Sequence, residues 1–421
     1  MYQVSDSTSL VRAHRRLLSR ASSTPRVARV VVLLGLTSLV TDISSEMVAT
    51  VLPLYLITIG GFTPLAYGII DGLYQGATSL VGLASGFVGD RFRRHKDVAA
   101  TGYGLSAVSK LLLATAGTAV SAVGAIVLLD RAGKGIRTAP RDTMISLSTP
   151  PERLGAAFGV HRALDTTGAV LGPILAFALL AVAPLAFHAL FLVSFCIAIA
   201  GLGILVLLVQ PQGVAAADAP ERPPSLRGAF ALVREPRYRS LLIAGGALSL
   251  ATSSDAFIFL TLQRKLELGT PTFPLLFVGS AAIYMVLAVP VGRLADRVGR
   301  GRVLLGGYAL LLGVYAALLL PANGWPVLVA TLGLLGAYYA ATDGVLMALG
   351  SALVPDEIRG SGLALLGTTT SVARLVASLL FGALWTLWGI HAAVAWFGVA
   401  LVAAMALSAL LLTRGHDRRH A

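Results

Sequence analysis

Acidic residues interrupt the first long apolar segment of the chain. Asp42 and Glu46 are four residues apart near its middle, with Ser44 and Ser45 between them. In a helix this spacing places both carboxyl groups on one face. Two neighbouring carboxyl groups away from water cannot both ionise cheaply, because desolvation and mutual repulsion oppose the second charge. The pattern therefore predicts that one of the two binds and releases a proton, and that a cationic solute would compete for the same site.

Charges recur in three further apolar segments, as Asp130 with Arg131 and Lys134, as Asp255, and as Asp343. An ionisable group inside a bilayer costs about 2.5 to 3.5 kcal/mol on insertion scales, so each one predicts a functional site. Arg131 and Lys134 are expected to pair with Asp42, Glu46 or Asp130. A purely structural ion pair is the alternative.

A basic stripe continues from Lys134 to Arg137 and Arg141, and the side chains of Arg137 and Arg141 are expected to extend towards water. The following segment carries His161, Arg162 and Asp165. His161 and Asp165 share a face, and a histidine there is a candidate proton relay, with a satisfied packing group as the alternative. Interhelical pairs or substrate contacts are expected for Asp71, Gln75, Lys110 and Arg374.

Composition excludes a water-soluble globular protein. Of the 421 residues, 56% are hydrophobic and 13% are charged, whereas soluble domains carry about 25% charged residues. The mean hydropathy is +0.81. A bilayer core of about 30 Å takes about 20 apolar residues per helical crossing. The sequence therefore predicts an all-α integral membrane protein surrounded by a lipid bilayer.

Glycine, proline and charge divide the chain into twelve predicted membrane-spanning helices. The expected organisation is a basic tail (1–29), a six-helix bundle (30–210), a linker (211–237), a second six-helix bundle (238–413) and a short tail (414–421). A processed transit peptide is a minor alternative for the first tail. The predicted helices cover 30–59, 64–88, 98–118, 121–145, 157–182, 186–210, 238–262, 272–292, 302–320, 325–350, 361–388 and 391–413.

Basic residues determine the predicted orientation, because loops rich in Lys and Arg stay in the cytoplasm. They concentrate in the two tails, the linker and the loops after the second and eighth helices, and only Arg264 and Lys265 fall on the other side. Both termini are therefore expected to be cytoplasmic. The same distribution explains the net charge of +13 without nucleic-acid binding.

Cysteine labelling checks this topology, because Cys196 is the single cysteine. In a Cys196→Ser background, a cysteine replacing Ser225 is expected to react with an impermeant thiol reagent only from the cytoplasm. A cysteine replacing Thr270 is expected to react only from outside. Labelling of opposite sidedness would disprove an arrangement with twelve helices and a cytoplasmic N-terminus.

An internal repeat is the strongest long-range pattern in the chain. Gly86, Asp90, Arg91 and Arg94 match Gly292, Asp296, Arg297 and Arg300, which follow 206 residues later. A second pair of motifs, around Glu152 and around Glu357, lies 205 residues apart. Two independent motifs at one spacing predict two parallel halves, with a substrate site between them near mid-membrane.

These motifs resemble those of the major facilitator superfamily (MFS) over residues 30–413. The Gly-x-x-x-Asp-Arg-x-x-Arg segments are similar to its cytoplasmic signature, although Arg93 stands where a glycine is usual. Helix 4 carries a similar Arg131, Gly133 and Gly135 pattern. Helix 5 carries Gly168, Gly172 and Pro173, similar to the segment associated with antiporters. The resemblance implies the MFS fold, with helices 1, 4, 7 and 10 around a central cavity.

The duplicated motif also predicts a conformational gate. Asp90, Arg91 and Arg94, like Asp296, Arg297 and Arg300, would lie where cytoplasmic helix ends meet. Paired charges there can hold one arrangement of the halves and release it in another. Plain anchoring by positive charge is the alternative, and it suffices for the arginines alone.

The resemblance implies secondary active transport, most simply proton-coupled efflux of a small organic solute or a metal ion through the plasma membrane. The alternatives are a metabolite uptake symporter, a lipid-translocating protein and a transporter-like receptor. No phosphate-binding loop or metal-ligand spacing is present in the sequence. We therefore expect no enzymatic activity, no cofactor and no resident metal. A monomer suffices, because one chain contains both halves.

Overall fold

The computed structural model describes residues 28–77, 94–117, 119–150, 153–210, 232–322, 324–355 and 358–417. Nearly all of these residues are helical, as the apolar composition predicts. The helices are α1 (Arg29–Thr58), α2 (described over 64–77), α3 (His95–Leu113), α4 (Val120–Leu147), α5 (Leu154–Val182), α6 (Phe187–Gly203), α7 (Pro236–Leu250), α8 (Asp255–Leu266), α9 (Phe273–Val298), α10 (Arg300–Leu319), α11 (Trp325–Thr342), α12 (Val345–Leu353) and α13 (Arg359–Asp417).

Several predicted helices agree with the structure to within a few residues, including those at 30–59, 121–145 and 302–320. The predicted continuous helix 238–262 is wrong, because the chain leaves helical geometry between α7 and α8. Thr252, Ser253 and Ser254 occupy this break, and such side chains compete with the backbone for hydrogen bonds. Tyr315 of α10 bonds to the backbone groups that lose their helical partners at the break. Its hydroxyl accepts from the Ser253 N–H at 2.8 Å and donates to the Ala251 carbonyl at 3.1 Å.

The predicted continuous helix 325–350 is also wrong. Asp343 and Gly344 separate α11 from α12. Gly344 has a φ of 77°. Glycine adopts this conformation readily, whereas a residue with a Cβ atom would be strained in it. Both breaks fall beside an acidic residue that the sequence marked as functional. They bring non-helical backbone to the centre of the protein, where it lines a cavity rather than lipid.

Eight helical stretches among the described residues are long and apolar enough to cross a bilayer. The longest, Gly362–Leu412, has 51 residues, which is enough for two crossings at about 20 residues each. Gly389, with non-helical dihedral angles, divides it near the middle. The stretches therefore make this a multi-pass membrane protein, and the number of twelve crossings and their orientation stay predictions.

The same packing order occurs in the first and second parts of the chain. In the first part, α1 packs on α5 and α6, and α3 packs on α4 and α6. In the second part, α7 packs on α13, and α10 packs on α11 and α13. This correspondence is what two repeated bundles would produce, with each half of α13 acting as one helix.

Contacts between the two parts gather at one end of the molecule. There, α2 lies against α13, and the Leu65 N–H donates to Thr386 Oγ1 at 2.9 Å. Phe257 of α8 packs on Tyr67 and Phe381, with ring centroids 5.1 and 4.7 Å apart. This aromatic cluster joins α2 of the first part of the chain to α8 and α13 of the second part.

Candidate functional site

Asp42 of α1 is buried in an ion pair. Its side chain accepts a hydrogen bond from Arg137 Nη2 of α4 at 3.2 Å. Arg137 is 3% exposed, and its guanidinium carbon lies 4.6 Å from the centroid of the Tyr103 ring. The expectation that Arg137 extends to water is therefore wrong. A carboxylate on the neighbouring helix and an aromatic face hold the cation inside the bundle.

A second carboxyl group faces Asp42. Asp165 of α5 lies close enough to Asp42 for the two carboxyl groups to interact. Arg141 Nη1 lies 3.8 Å from Asp165 Oδ1, and Arg162 Nη1 lies 3.6 Å from Asp165 Oδ2. Two neighbouring carboxyl groups away from water cannot both ionise cheaply, because desolvation and mutual repulsion oppose the second charge. The Asp42–Asp165 pair is therefore a place where the protein can hold a proton.

His161 adjoins this pair through hydroxyl groups. Its Nε2 lies 3.0 Å from Ser38 Oγ, and Arg141 Nη1 donates to the same oxygen at 3.3 Å. The Tyr103 hydroxyl is 3.4 Å from it. His161 and Asp165 share the predicted helix face, yet the bonds of His161 run to Ser38. The role of His161 as a relay stays a prediction.

Glu46 differs from Asp42 in having no charged partner. Among the described residues, no hydrogen bond or ion pair to its carboxyl group is formed, and the side chain lines two cavities. Lys134 is the cation that acts on it most strongly, followed by Arg131. Lys134 also acts on Asp42 and, more weakly in rank, on Asp165. Its positive charge thus lies near three carboxyl groups.

The glycines of α5 determine how closely Glu46 approaches that helix. A Cβ atom at Gly172 would lie 2.8 Å from both Glu46 Cβ and the Ile43 carbonyl oxygen. A Cβ atom at Gly168 would lie 2.4 Å from the Leu39 carbonyl oxygen. Small residues at such contacts allow two helix backbones to approach closely. Gly168 and Gly172 therefore fix α1, and with it Glu46, against α5, while Pro173 lines the cavity beside Glu46.

Asp130 of α4 forms a separate cluster with two cations. Lys110 Nζ of α3 donates to Asp130 Oδ1 at 2.7 Å, and Arg131 donates to Oδ2. Ser106 adds a further hydrogen bond at 2.5 Å. The Arg131 guanidinium lies 3.9 Å above the Tyr74 ring. The negative charge of Asp130 is therefore balanced by Lys110 and Arg131. The contact with Arg131 confirms that this arginine has an acidic partner.

The second part of the chain contributes two carboxylates held by tyrosines. The Tyr339 hydroxyl donates to Asp255 Oδ1 at 2.5 Å. The Tyr284 hydroxyl donates to Asp343 Oδ2 at 3.0 Å. Both acids follow helix breaks, Asp255 at the start of α8 and Asp343 at the end of α11. Their positions depend on the interruptions of the two helices.

Three cavities meet at Asp255. One of about 270 Å³ is lined by Glu46, Asp255 and Asp343 together with Tyr284 and Tyr339. A second, of about 220 Å³, shares Glu46 and Asp255 with it. The third, of about 300 Å³, lies beside the break between α7 and α8. Glu46 comes from the first part of the chain and the other two acids from the second, so the site lies between the two parts.

The sequence profile of the Major Facilitator Superfamily matches residues 34–277 and 241–421. The chain belongs to this superfamily. An uncharacterised MFS-type transporter of Methanocaldococcus jannaschii is 30% identical over 381 residues, which cover 89% of this chain and 92% of the relative. Its membership makes the chain an MFS transporter.

Solved MFS structures share the fold. The nucleoside transporter NupG matches with a TM-score of 0.74 at 15% identity, covering 92% of this chain and 99% of that one. The peptide transporter POT matches with a TM-score of 0.72 at 15% identity, covering 92% and 94%. At these identities the likeness shows the MFS fold alone. It confirms the resemblance on which the predicted arrangement rests.

The MFS fold brings four of the six predicted cavity residues to the centre. Glu46, Asp255 and Asp343 line one cavity, and Arg131 lines a small neighbouring cavity with Asp130. Lys134 acts on Glu46 from α4. Asp42 lies behind Glu46 in its ion pair with Arg137 and does not line any of these cavities.

The predicted gate is described in its second copy. Arg300 Nη2 lies 3.1 Å from Asp296 Oδ1, and Arg300 Nη1 donates to the Ala348 carbonyl at 3.2 Å. Asp296 is 66% exposed in its side chain, and Arg297 is exposed beside it. In the first copy, Asp90 and Arg91 lie outside the described residues. Arg94 pairs with Asp97 at 2.8 Å on the surface.

Other contributions to this MFS site were not identified from the sequence. Tyr284 and Tyr339 hold the acids of α8 and α11, and isolated tyrosines in apolar helices give no signal of that role. Asp71 of α2 accepts from Ser378 Oγ of α13 at 2.5 Å and so joins the two parts of the chain. From the sequence, Asp71 was expected to form an interhelical pair or a substrate contact, without an indication of its partner.

Proposed function

We propose that this MFS transporter is a proton-coupled antiporter that exports a small solute across the plasma membrane by alternating access. The observation that carries the proposal is the environment of Glu46. This carboxyl group faces a cavity between the two parts of the chain and has no hydrogen-bond or ion-pair partner among the described residues. A carboxyl group in that position is available both to a proton and to a cationic group of a solute.

Competition between these two ligands is sufficient for coupling. A proton on Glu46 removes the charge that would hold a cation, and a bound cation displaces the proton. Lys134 supports the exchange, since its positive charge acts on Glu46 and on Asp42. The neighbouring carboxyl groups of Asp42 in α1 and Asp165 in α5 offer a second place for a proton. Release of the solute to one side is then linked to binding of a proton from that same side, and the proton is carried back across the membrane.

The packing of the two parts supports alternating access. The aromatic cluster of Phe257, Tyr67 and Phe381 joins the two parts of the chain, and we propose that it closes the cavity on the outer side, while Asp296 and Arg297 are exposed. We propose the bundles 30–210 and 238–413 as the two moving bodies, joined by the linker 211–237. A monomer then contains a complete transport unit, with both termini in the cytoplasm.

Transport in proteoliposomes tests the proposal. The purified full chain is reconstituted, a pH gradient is imposed, and uptake or release of radiolabelled cationic, zwitterionic and anionic solutes is followed. Antiport predicts that the direction of solute movement reverses when the gradient is reversed, with protons moving oppositely. Solute movement with the protons would establish a symporter instead. Binding without movement under either gradient would indicate a receptor.

The gate in α9 leads to a prediction about rates. Asp296→Asn is expected to leave solute binding within about twofold of wild type, because Asp296 lies far from the cavity lining. Exchange between the two access states should change by up to about fivefold, since an exposed ion pair contributes about 0 to 1 kcal/mol. Distance measurements between spin labels on the two bundles, with and without solute, would report the exchange. Loss of binding with unchanged exchange would place Asp296 in the solute site.

A further inference from the structure

The cavity beside the break between α7 and α8 is polar in a specific way. It has a volume of about 300 Å³. Hydroxyl groups, an amide, one carboxylate and one guanidinium surround it, and the acidic cavity at Glu46 adjoins it through Asp255 and Tyr339. Its lining residues outside the break are Gln75, Asp255, Tyr339, Arg374 and Ser378.

Three polar atoms of residues that line this cavity are buried without a hydrogen-bond partner among the described residues: Ser253 Oγ, Ser254 Oγ and Arg374 Nε. Ser253 is 2% exposed, and no group among the described residues bonds to its Oγ. The same holds for Arg374 Nε. Buried polar atoms are hydrogen-bonded in the great majority of cases, so each exception requires an explanation. Ser253 Oγ and Arg374 Nε can each donate a hydrogen bond, and an acceptor supplied by a ligand inside the cavity would satisfy both.

Asp255 and Arg374 line this cavity without forming an ion pair. No nitrogen of Arg374 lies within 4.0 Å of the Asp255 carboxylate in the described structure, although the two charges act on each other. Tyr339 holds Asp255 through its hydroxyl. An acid and a base kept apart across a cavity leave room for a ligand that carries the opposite pair of charges.

We infer that this cavity binds the charged end of a zwitterionic solute, a small amine that also carries a carboxylate. The carboxylate accepts from Arg374 Nε and Ser253 Oγ, and the ammonium group donates to Asp255. The rest of the solute extends into the neighbouring cavity, towards Tyr284 and Glu46. The inference rests on the proposed function only for the statement that the bound solute is then transported.

Binding to the wild-type protein tests the inference without a variant. Alanine, leucine and phenylalanine, their amides and their N-acetyl derivatives are titrated into the detergent-solubilised full chain by calorimetry, below about pH 7, where the amines are protonated. At least one free amino acid is expected to bind about 10 to 100 times more tightly than both of its derivatives, because each derivative loses one charge-assisted contact. An amide that binds as tightly, or no preferred amino acid, overturns the inference.

Variants then assign the two ends of the ligand. Arg374→Gln is expected to remove the preference for the amino acid over its amide. Asp255→Asn should remove the preference over the N-acetyl derivative. Arg239→Gln, at an exposed position at the start of α7, is the matched control and should keep both preferences. Unchanged preferences in a monodisperse Arg374→Gln protein would overturn the assignment.

Failure of this inference and failure of antiport are distinguishable. Calorimetry uses no gradient, so zwitterion binding without proton-driven flux would contradict antiport and leave the binding site in place. Proton-driven flux of a cation, together with equal affinities for an amino acid and its amide, would support antiport and overturn the zwitterion site.

Discussion

Replacement of Glu46 by glutamine is expected to abolish transport driven by a pH gradient. The amide has nearly the shape of a protonated carboxyl group, but it cannot release a proton at any pH. Because Glu46 has no partner among the described residues, the change leaves no cation newly unpaired. The variant should therefore insert and fold like wild type while its proton-driven flux falls to the level of empty liposomes.

The measurement is the initial rate of solute flux in proteoliposomes over a range of internal and external pH. Glu235→Gln is the matched control, because Glu235 is exposed just before α7, and its flux should equal that of wild type. Asp42→Asn is expected to weaken binding or coupling, since it leaves Arg137 without its carboxylate. If both Glu46→Gln and Asp42→Asn retain the proton dependence of wild type, coupling resides elsewhere, with Asp255 and Asp343 as the next candidates.

Hydropathy and the positions of glycine and proline predicted most helices, because few other backbone structures are stable in lipid. A run of about 20 apolar residues has one stable backbone conformation in a bilayer, so α1, α4 and α10 follow from composition. The breaks at Ser253 and at Gly344 do not follow in this way. At the first break, the distant residue Tyr315 bonds to a backbone group that has no helical partner. Sequence spacing does not show which distant side chain will supply such a hydrogen bond.

The charged residues of the site were predictable, whereas their pairing was not. The cost of a charge in lipid marked Asp42, Glu46, Asp130 and Asp255 without any structure. Which cation meets which acid depends on the packing of helices. Arg137 reaches Asp42 from α4 because α1 and α4 come together at that level, and a periodic stripe cannot distinguish this contact from an extension to water.

The structure divides the buried acids into compensated and uncompensated groups. Asp130 has Lys110, Arg131 and two serines around it, while Glu46 has open space on its cavity side. A compensated carboxylate keeps its charge and holds helices together. An uncompensated carboxylate facing a cavity is free to exchange ligands. This division makes the roles of Asp130 and Glu46 separable by experiment, even though both are acids within apolar helices.

Asp130→Asn is accordingly expected to destabilise the protein strongly. Lys110 is 2% exposed, and the substitution would leave its ammonium group, together with Arg131, buried without a counter-charge. Breaking a buried ion pair by removing one partner costs about 3 to 5 kcal/mol. The melting temperature of the detergent-solubilised protein should fall clearly. Asp97→Asn, which removes the exposed pair with Arg94, is the matched control and should melt like wild type.

The double variant Lys110→Met, Asp130→Asn separates charge balance from packing. Methionine fills much of the volume of the lysine stem and needs no counter-charge, so the double variant leaves only Arg131, rather than both Lys110 and Arg131, without the Asp130 charge. The double variant should therefore melt at a higher temperature than Asp130→Asn alone. It should also keep the pH dependence of transport, because Glu46 is untouched. A single variant as stable as wild type would show that Lys110 finds another partner. Loss of the pH dependence in a stable double variant would instead move the coupling site from Glu46 to Asp130.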